Sequence, residues 1–597
     1  MSDTAGGAWT RTRQELDQSW LRLTLLVWLL VAVWLLWDNW GHVYWLALGD
    51  TDDNMRLAQV RALLDGQGWF DLRQYRMNPP GGFDMHWTRL VDLPIAGLIL
   101  FFRLFTTDYW AERLACGIAP ILPLAVAMIG VGFTARRLIH PLAWPLAILL
   151  LLIGAPATMP MFEPERIDLT GWQLAMLSLI LAGLADPERR RGGLTVGLAT
   201  AGSLAIGLEM LPYAAIAGAV ITLRWVWDRA AAPRLTVYAL ALSGGTAVAF
   251  AAFASDANRV MRCDALTPVY LTAMIAAGVL MFGLARLSPA ARWQRLALAV
   301  AAAAILAAGF AWLFPQCLGR PEQVSPELAR SWLDNVREAK PIYKQPMRMI
   351  YPLGMMPVIG VVCTAIAAWR ARRGPVAVPW VSVLILVTCA SGMLLWQVRV
   401  GPDAQMLAVI GVAAVLWALV PWILHNANPF VRVLGTVGAF AFLSGAFVGI
   451  SMPYLPFTKQ NARTKLVNHA SRYCPTVPAM QALDRYPAQT VFTFVDLGPR
   501  LITVTHHDAV AGPYHRNGDA ILDVQHAFEG SPEQFRAIAK KHGATMLLVC
   551  PNMAESTVYR ARAPGGFYDQ LAHGKTFPWL EPLPLPRKDP LRLFRID

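Results

Sequence analysis

Apolar residues run along this chain in stretches too long and too uniform for a soluble fold. They fall near residues 21–37, 114–133, 141–156, 172–185, 194–210, 212–226, 235–254, 267–285, 296–314, 351–369, 378–396, 403–424 and 433–451. A perpendicular span needs about 20 residues, so the shorter runs must borrow flanking positions. The pattern predicts about thirteen membrane-spanning helices. Residues 93–105 are also apolar, but they are short and follow charges, so they are expected to form a re-entrant or interfacial helix. From residue 452 the pattern changes. Apolar runs shrink to strand length, as after Thr490 and Ala544, and alternate with polar helical stretches such as the one opened by Ser531 and Glu533 and ended by Gly543. The expected division is a transmembrane part, 1–451, with long outer loops at 38–113 and 315–350, and a small soluble α/β domain, 452–597.

Basic residues set the expected orientation. Every second short loop is basic: Arg136 and Arg137; Arg189, Arg190 and Arg191; Arg224, Arg229 and Arg234; Arg286, Arg292 and Arg295; Arg370, Arg372 and Arg373. Such loops stay in the cytoplasm. The intervening loops hold the acids, from Asp50, Asp52 and Asp53 through Glu163, Glu165 and Asp168 to Glu338. The N-terminus is then cytoplasmic and the C-terminal domain periplasmic, in an integral protein of a bacterial inner membrane. Counting 93–105 as a span would put Arg136 and Arg137 outside and invert every later loop.

Composition agrees. The 597 residues are 56% hydrophobic and only 15% charged, so lipid must solvate part of the surface. The net charge of +13 does not imply nucleic acid, because the basic residues sit between apolar segments. Cys263 and Cys317 fall in outer loops, and Cys474 and Cys550 in the outer domain; two disulfides or free thiols both fit the spacing.

The chemistry-bearing residues gather on the outer side. Asp50, Asp52 and Asp53 repel one another, so they either face water or hold a hard cation such as Mg²⁺ or Mn²⁺. Glu163, Glu165 and Asp168 form a second acidic cluster just before a span, and one divalent ion draws ligands from several loops. Arg56, Arg61, Arg76, His86 and Arg89 share the first outer loop and are candidates for an anionic group. Arg399, at the outer end of a span, either snorkels or binds an anion. Glu209 reads best as a structural hydrogen-bonding residue. His506, His507 and His515 match no standard zinc spacing.

The order of these features resembles the catalytic subunit of oligosaccharyltransferase and its single-chain bacterial and archaeal relatives, which are GT-C glycosyltransferases. Asp52-Asp53 is similar to the family's acidic motif in the first outer loop, and Glu165 to Asp168 to the motif before the fourth span. Asn335-Val336-Arg337-Glu338 followed by Pro341 resembles its Ser-Val-Ser-Glu motif, and Arg399 its arginine at the eleventh span. Phe494-Val495-Asp496-Leu497-Gly498 is faintly similar to its Trp-Trp-Asp-Tyr-Gly motif, with both tryptophans replaced. Arg166-Ile167-Asp168 matches the start of a bacterial Arg-Ile-Asp-His-His run, but Leu169 and Thr170 replace the histidines.

The resemblance implies a polytopic GT-C-like fold and an inverting transfer from a polyprenyl-phosphate- or pyrophosphate-linked glycan to a glycan, lipid or protein acceptor among membrane lipids. It implies a divalent cation on Asp53, Asp168 and Glu165. Catalytic roles go to Asp52, Asp53 and Glu338, lipid-phosphate binding to Arg399, and substrate contacts to Arg76, His86, Arg89 and Asp496. The alternative is a transporter or flippase of a lipid-linked glycan, which would place charges near the midplane and show repeated halves.

Overall fold

The computed structural model describes residues 15–456 and 460–597; residues 1–14, expected in the cytoplasm, lie outside the described residues. Each apolar run lands on a helix. By length and composition, eight helices among the described residues can cross a membrane, or nine if the pair Pro429–Leu443 and Ala446–Tyr454, bent by 89°, counts as one span. The expected count of thirteen includes Trp144–Gly154, Thr170–Ala185 and Ala377–Met393, which are apolar but shorter. It also includes Arg189–Ile206, whose first turn is Arg189, Arg190 and Arg191. This last helix packs through small residues: a Cβ added at Gly197 would lie 2.6 Å from Ala241 Cβ. By contrast, no residue in the apolar window of Arg292–Leu313 is buried, as expected of a helix facing lipid. The fold is a polytopic helical membrane protein with a C-terminal sheet region.

Residues 93–105 form a helix, Asp92–Arg103, inside the first long loop. That loop also carries the helix Thr51–Leu64 and a hairpin of β1 (Arg73–Gln74) and β2 (Phe83–Asp84).

The C-terminal sheet has five strands: β3 (Thr490–Phe492), β4 (Asp508–Ala509), β5 (Met546–Val549), β6 (Leu580–Leu583) and β7 (Arg592–Ile596). Their order is β4-β3-β5-β7-β6. β3 runs parallel to β4 and β5, and β7 antiparallel to β5 and β6. The four residues of β5 are all buried, which explains their unbroken apolar run. The sheet shares a core with the first loop: Met55, Met77, Phe83 and Trp87 pack with Phe492, Phe494 and Leu547. Met77 bridges Ala509 at the β4 edge, and the Asn78 amide donates to Ala509 O at 2.8 Å.

Two disulfides tie this side together. Cys263–Cys317 (Cα–Cα 5.3 Å) joins the loop after Ala232–Phe253 to the start of loop 315–350, and Cys474–Cys550 (6.2 Å) joins the helix Ala462–Tyr473 to the end of β5. Intact-mass measurement of the denatured, unreduced protein should show all four thiols protected and alkylation only after reduction. Full alkylation without reductant contradicts the pairing. Replacing Cys474 and Cys550 by Ser should lower stability by about 4 kcal/mol on chain-entropy grounds.

Candidate active site

The acidic run opens the helix Thr51–Leu64, and helix geometry sorts its members. Asp50 is the N-cap, with its carboxylate accepting from the Thr51 amide at 2.6 Å. Asp53, one turn in, accepts from the Asp50 amide at 3.1 Å, closing a reciprocal capping box. Asp53 is therefore fully buried and turned back into the fold. Its other oxygen accepts from the Asp168 amide at 3.0 Å. Asp52 points the other way and lines a large cavity.

Arg166 binds the two acidic segments together. Its guanidinium reaches Asp50 at 2.8 Å, Asp168 at 3.0 Å and Asp53 at 3.5 Å. Asp168 also accepts from the Thr170 amide (2.9 Å) and hydroxyl (3.0 Å). Three carboxylates packed this closely need a positive charge among them, and they hold the guanidinium's pKa up. Glu165 lies behind Asp53, 2% exposed, at φ +72°, with both carboxyl oxygens unpartnered. Burial, and then the Asp53 charge, push its acid well above the carboxylate range.

The sheet domain clamps this helix start in place. Arg500 donates to Leu46 O and Asn54 Oδ1, both at 3.0 Å, and to Pro475 O at 2.7 Å. The Tyr514 hydroxyl donates to Thr51 O at 3.0 Å.

The cavity, of about 1830 Å³, brings Asp50, Asp52, His86, Glu338, Arg399 and Asp496 to one space. The carboxylates of Asp52 and Glu338 have no hydrogen-bond partner among the described residues. Burial, then charge on Asp50, Asp168 and Glu338, push Asp52 up to about 8. Asp496 is pushed up to about 6 by enclosure and by Asp50. Its segment is held by Glu555, which accepts from the Val495 and Asp496 amides at 2.9 and 3.0 Å. Phe494 is buried in the domain core, whereas Val495, Asp496 and Leu497 of that motif line the cavity, and Asp496 is the one of the three that carries a charge.

Five expected site residues do not line the cavity. Asp53 and Glu165 lie behind the cavity wall, for the capping and burial reasons given. Arg89 is fully buried and spends its guanidinium on Asp92 (3.2 Å), Gln59 O (3.0 Å) and Asp71 O (2.7 Å), so it cannot touch a substrate. Arg76 ties the first loop to the sheet domain through Asp508 (3.2 Å), Ile502 O (2.6 Å) and His507 O (2.7 Å). Asp168 is 8% exposed and sits just behind Asp52. Arg166 and Glu555 were missed. An arginine two residues before Asp168 in an otherwise acidic stretch was the available signal for Arg166; Glu555 had none.

Asp52 and Glu338 both line the cavity and the Glu338 charge reaches Asp52, but with Asp50 they do not bring three ligand atoms within 4.8 Å of one another. Among the described residues, Asp484, His506 and His507 are the group that does so. There, however, His507 uses both ring nitrogens on the backbone of Leu483 (3.0 Å) and Gln489 (3.2 Å).

No protein-family model matches the sequence, and no curated protein aligns with it. Solved structures do match. The oligosaccharyltransferase AglB of Archaeoglobus fulgidus, in complex with an inhibitory peptide and a dolichol-phosphate, superposes with a TM-score of 0.69 at 14% identity, over 95% of this chain and 73% of AglB. The same enzyme tethered to an acceptor peptide gives 0.68 at 14% identity, over 94% and 72%. Its complex with Zn and sulfate gives 0.61 at 14% identity, over 94% and 71%. The chain has the oligosaccharyltransferase fold. In this oligosaccharyltransferase fold the acidic loops, the loop 315–350 and the sheet domain converge on one cavity.

Arg166→Met should destabilise the protein by about 3 kcal/mol, because it leaves three carboxylates without a counter-charge. Arg166→Lys should recover only part, lacking the planar fork. Thermal unfolding in detergent measures both, and an unchanged midpoint for Arg166→Met contradicts the charge knot.

Proposed function

We propose that the chain is a membrane glycosyltransferase that transfers a sugar or oligosaccharide from a polyprenyl phosphate or pyrophosphate, on the extracytoplasmic face and with inversion. One observation carries this reading: Asp52, Glu338, Arg399 and Asp496, from four separate segments, line a single cavity in a protein of oligosaccharyltransferase fold. The dolichol-phosphate and acceptor peptide bound to AglB support a lipid-linked donor and a second substrate in such a cavity. The alternation of basic loops supports the orientation, with the acidic loops and the sheet domain outside.

Breaking a glycosidic bond to a phosphate builds negative charge on the leaving oxygens. Arg399, exposed in the cavity and in no ion pair within 4 Å, though near enough to Glu209 to feel its charge, would hold that phosphate by charge-assisted hydrogen bonds. Asp52 and Glu338, with Asp50, would hold a divalent cation, which when bound neutralises the same developing charge. Asp52 also stands as the candidate base for the acceptor, and Asp496 faces the acceptor from the sheet domain. With Phe494 and Val495 standing where the family motif has two tryptophans, this wall supports a glycan or lipid acceptor as readily as a protein.

Transfer from a radiolabelled lipid-linked donor in membranes tests the reading. Asp52→Asn should lower kcat by about a hundredfold or more while leaving folding intact. Arg399→Ala should raise the donor KM by about tenfold or more, with partial recovery in Arg399→Lys. Mn²⁺ binding followed by EPR should weaken in Glu338→Gln. Wild-type transfer in both Asp52→Asn and Arg399→Ala would sink the assignment.

A further inference from the structure

One corner of the cavity is built by three helices and carries neutral polar groups that the fold leaves unpaired. The short helix Pro326–Ser331 of the loop 315–350 rests on two helices of the sheet domain, Gly518–Glu529 and Ala554–Arg562. Leu328 is the knob of this contact: it is 3% exposed, and a Cβ added at Gly518 would lie 2.5 Å from its Cδ2. Glu327 Oε1 and His526 Nε2 lie 2.7 Å apart. Arg562 donates to Ser331 O at 2.6 Å and reaches Glu529 at 3.4 Å. Gly518, Gln525 and Glu529 share one stripe of their helix, so Gln525 falls between the Leu328 contact and the Arg562 contact. Ser331, Trp332 and Gln525 line the cavity here.

Of the charged residues on these three helices, Glu555 and Arg562 line the cavity, and both are engaged. Glu555 holds the Val495 and Asp496 amides, and Arg562 holds Ser331 O and Glu529. Just beyond Trp332, Asp334 pairs with Arg320 at 3.1 Å. The neutral groups are not engaged. The Gln525 side chain, 6% exposed, forms no hydrogen bond among the described residues, and neither does the Ser331 hydroxyl. Shielded polar groups are seldom left so, because they lose water without gaining a partner. Trp332 is half-buried and stacks on no other ring among the described residues, so it offers an aromatic face to a ligand.

A ring with one apolar face and several hydroxyls matches this set: the face suits the indole, and the hydroxyls suit an amide and a hydroxyl. An extended peptide matches it less well, because all three elements are helices and present no strand edge to pair with. Space is ample, since the cavity holds about 1830 Å³ and a ligand site typically spans about 300–1,000 Å³. We infer that Trp332, Gln525 and Ser331 form a sugar-binding subsite, with the ring on the indole and its hydroxyls bonded to the Gln525 amide and the Ser331 hydroxyl. The ring belongs either to a glycan acceptor or to the second sugar of the donor. The inference rests on the glycosyltransferase reading and narrows its substrates, and it is separate from the phosphate contact assigned to Arg399.

The test is saturation-transfer NMR on the full-length protein in nanodiscs, with the methyl glycosides of glucose, galactose, mannose and N-acetylglucosamine as probes. At least one should be saturated, most strongly at the protons of one ring face. Gln525→Leu should weaken its binding about tenfold or more without lowering the thermal midpoint, because it removes a polar group that has no partner in the protein. Trp332→Leu should weaken binding likewise, and Trp332→Phe should keep part of it. Polyprenyl diphosphates carrying one sugar or two, both first shown to displace a fluorescent polyprenyl phosphate, then locate the source of the ring. Displacement of the glycoside by the disaccharide lipid alone assigns the ring to the donor; displacement by neither assigns it to the acceptor. Displacement by both overturns the inference, since the glycoside would then occupy the place of the transferred sugar. Saturation of none of the four probes, or unchanged binding in both Gln525→Leu and Trp332→Leu, also overturns it. Binding at this corner in a protein that transfers no sugar in membranes would sink the glycosyltransferase reading and leave the subsite standing.

Discussion

Arg166 sits between Asp50, Asp53 and Asp168, and the geometry of the site depends on that contact. Carboxylates from two loops, separated by more than a hundred positions in sequence, cannot share so small a volume without a fixed positive charge. A guanidinium suits the position because it stays charged and can reach several acceptors in one plane. With Asp53 turned inward by the capping box and Asp168 held by Arg166 and Thr170, Asp52 is the member of the acidic run left facing the cavity without a partner. The knot thus separates acids that build the site from the acid that is free to act in it.

The sheet domain completes the enclosure. Arg500 and Tyr514 reach across to Leu46, Thr51 and Asn54, and the first loop returns the contact by adding Met77 to the edge of the sheet. Met55 and Trp87 sit in the same core as Phe492 and Leu547. The acidic helix start is therefore fixed from both sides, while the loop 315–350, anchored by Cys263–Cys317, closes the cavity with Glu338 and its neighbouring cations. Substrate groups entering this space would meet charged groups held by buried contacts, the condition under which electrostatic stabilisation of a developing charge is greatest.

The sequence made the fold class legible because lipid imposes long apolar runs, and each run lies on a helix. The count was less legible: Arg189–Ile206 starts with three arginines, and Thr170–Ala185 is short and enclosed by other helices, so neither meets a length-and-hydropathy criterion for a span. The site was legible by residue type more than by direction. Asp50, Asp52 and Asp53 look alike in sequence, and only the helix register decides which is capped, which is buried and which is free; the spacing of Asp50 and Asp53 carried that capping signal. Arg89 and Arg76 looked available for an anion because their partners, the Asp71 carbonyl and the β4 strand, become neighbours only in the folded chain. Glu555 belongs to a helix far along the sequence, and its contact with the Asp496 segment is set by tertiary packing alone.

The central claim is that one cavity, bounded by Asp52, Glu338, Arg399 and Asp496, receives a lipid-linked glycan. The most direct measurement is a cryo-EM structure of the full-length protein in nanodiscs with a polyprenyl-linked donor and Mn²⁺. The account predicts headgroup phosphate density within hydrogen-bond reach of the Arg399 guanidinium, metal density between Asp52 and Glu338, and the sugar directed toward Asp496. A headgroup bound midway along the helical bundle, or outside this cavity, would contradict it.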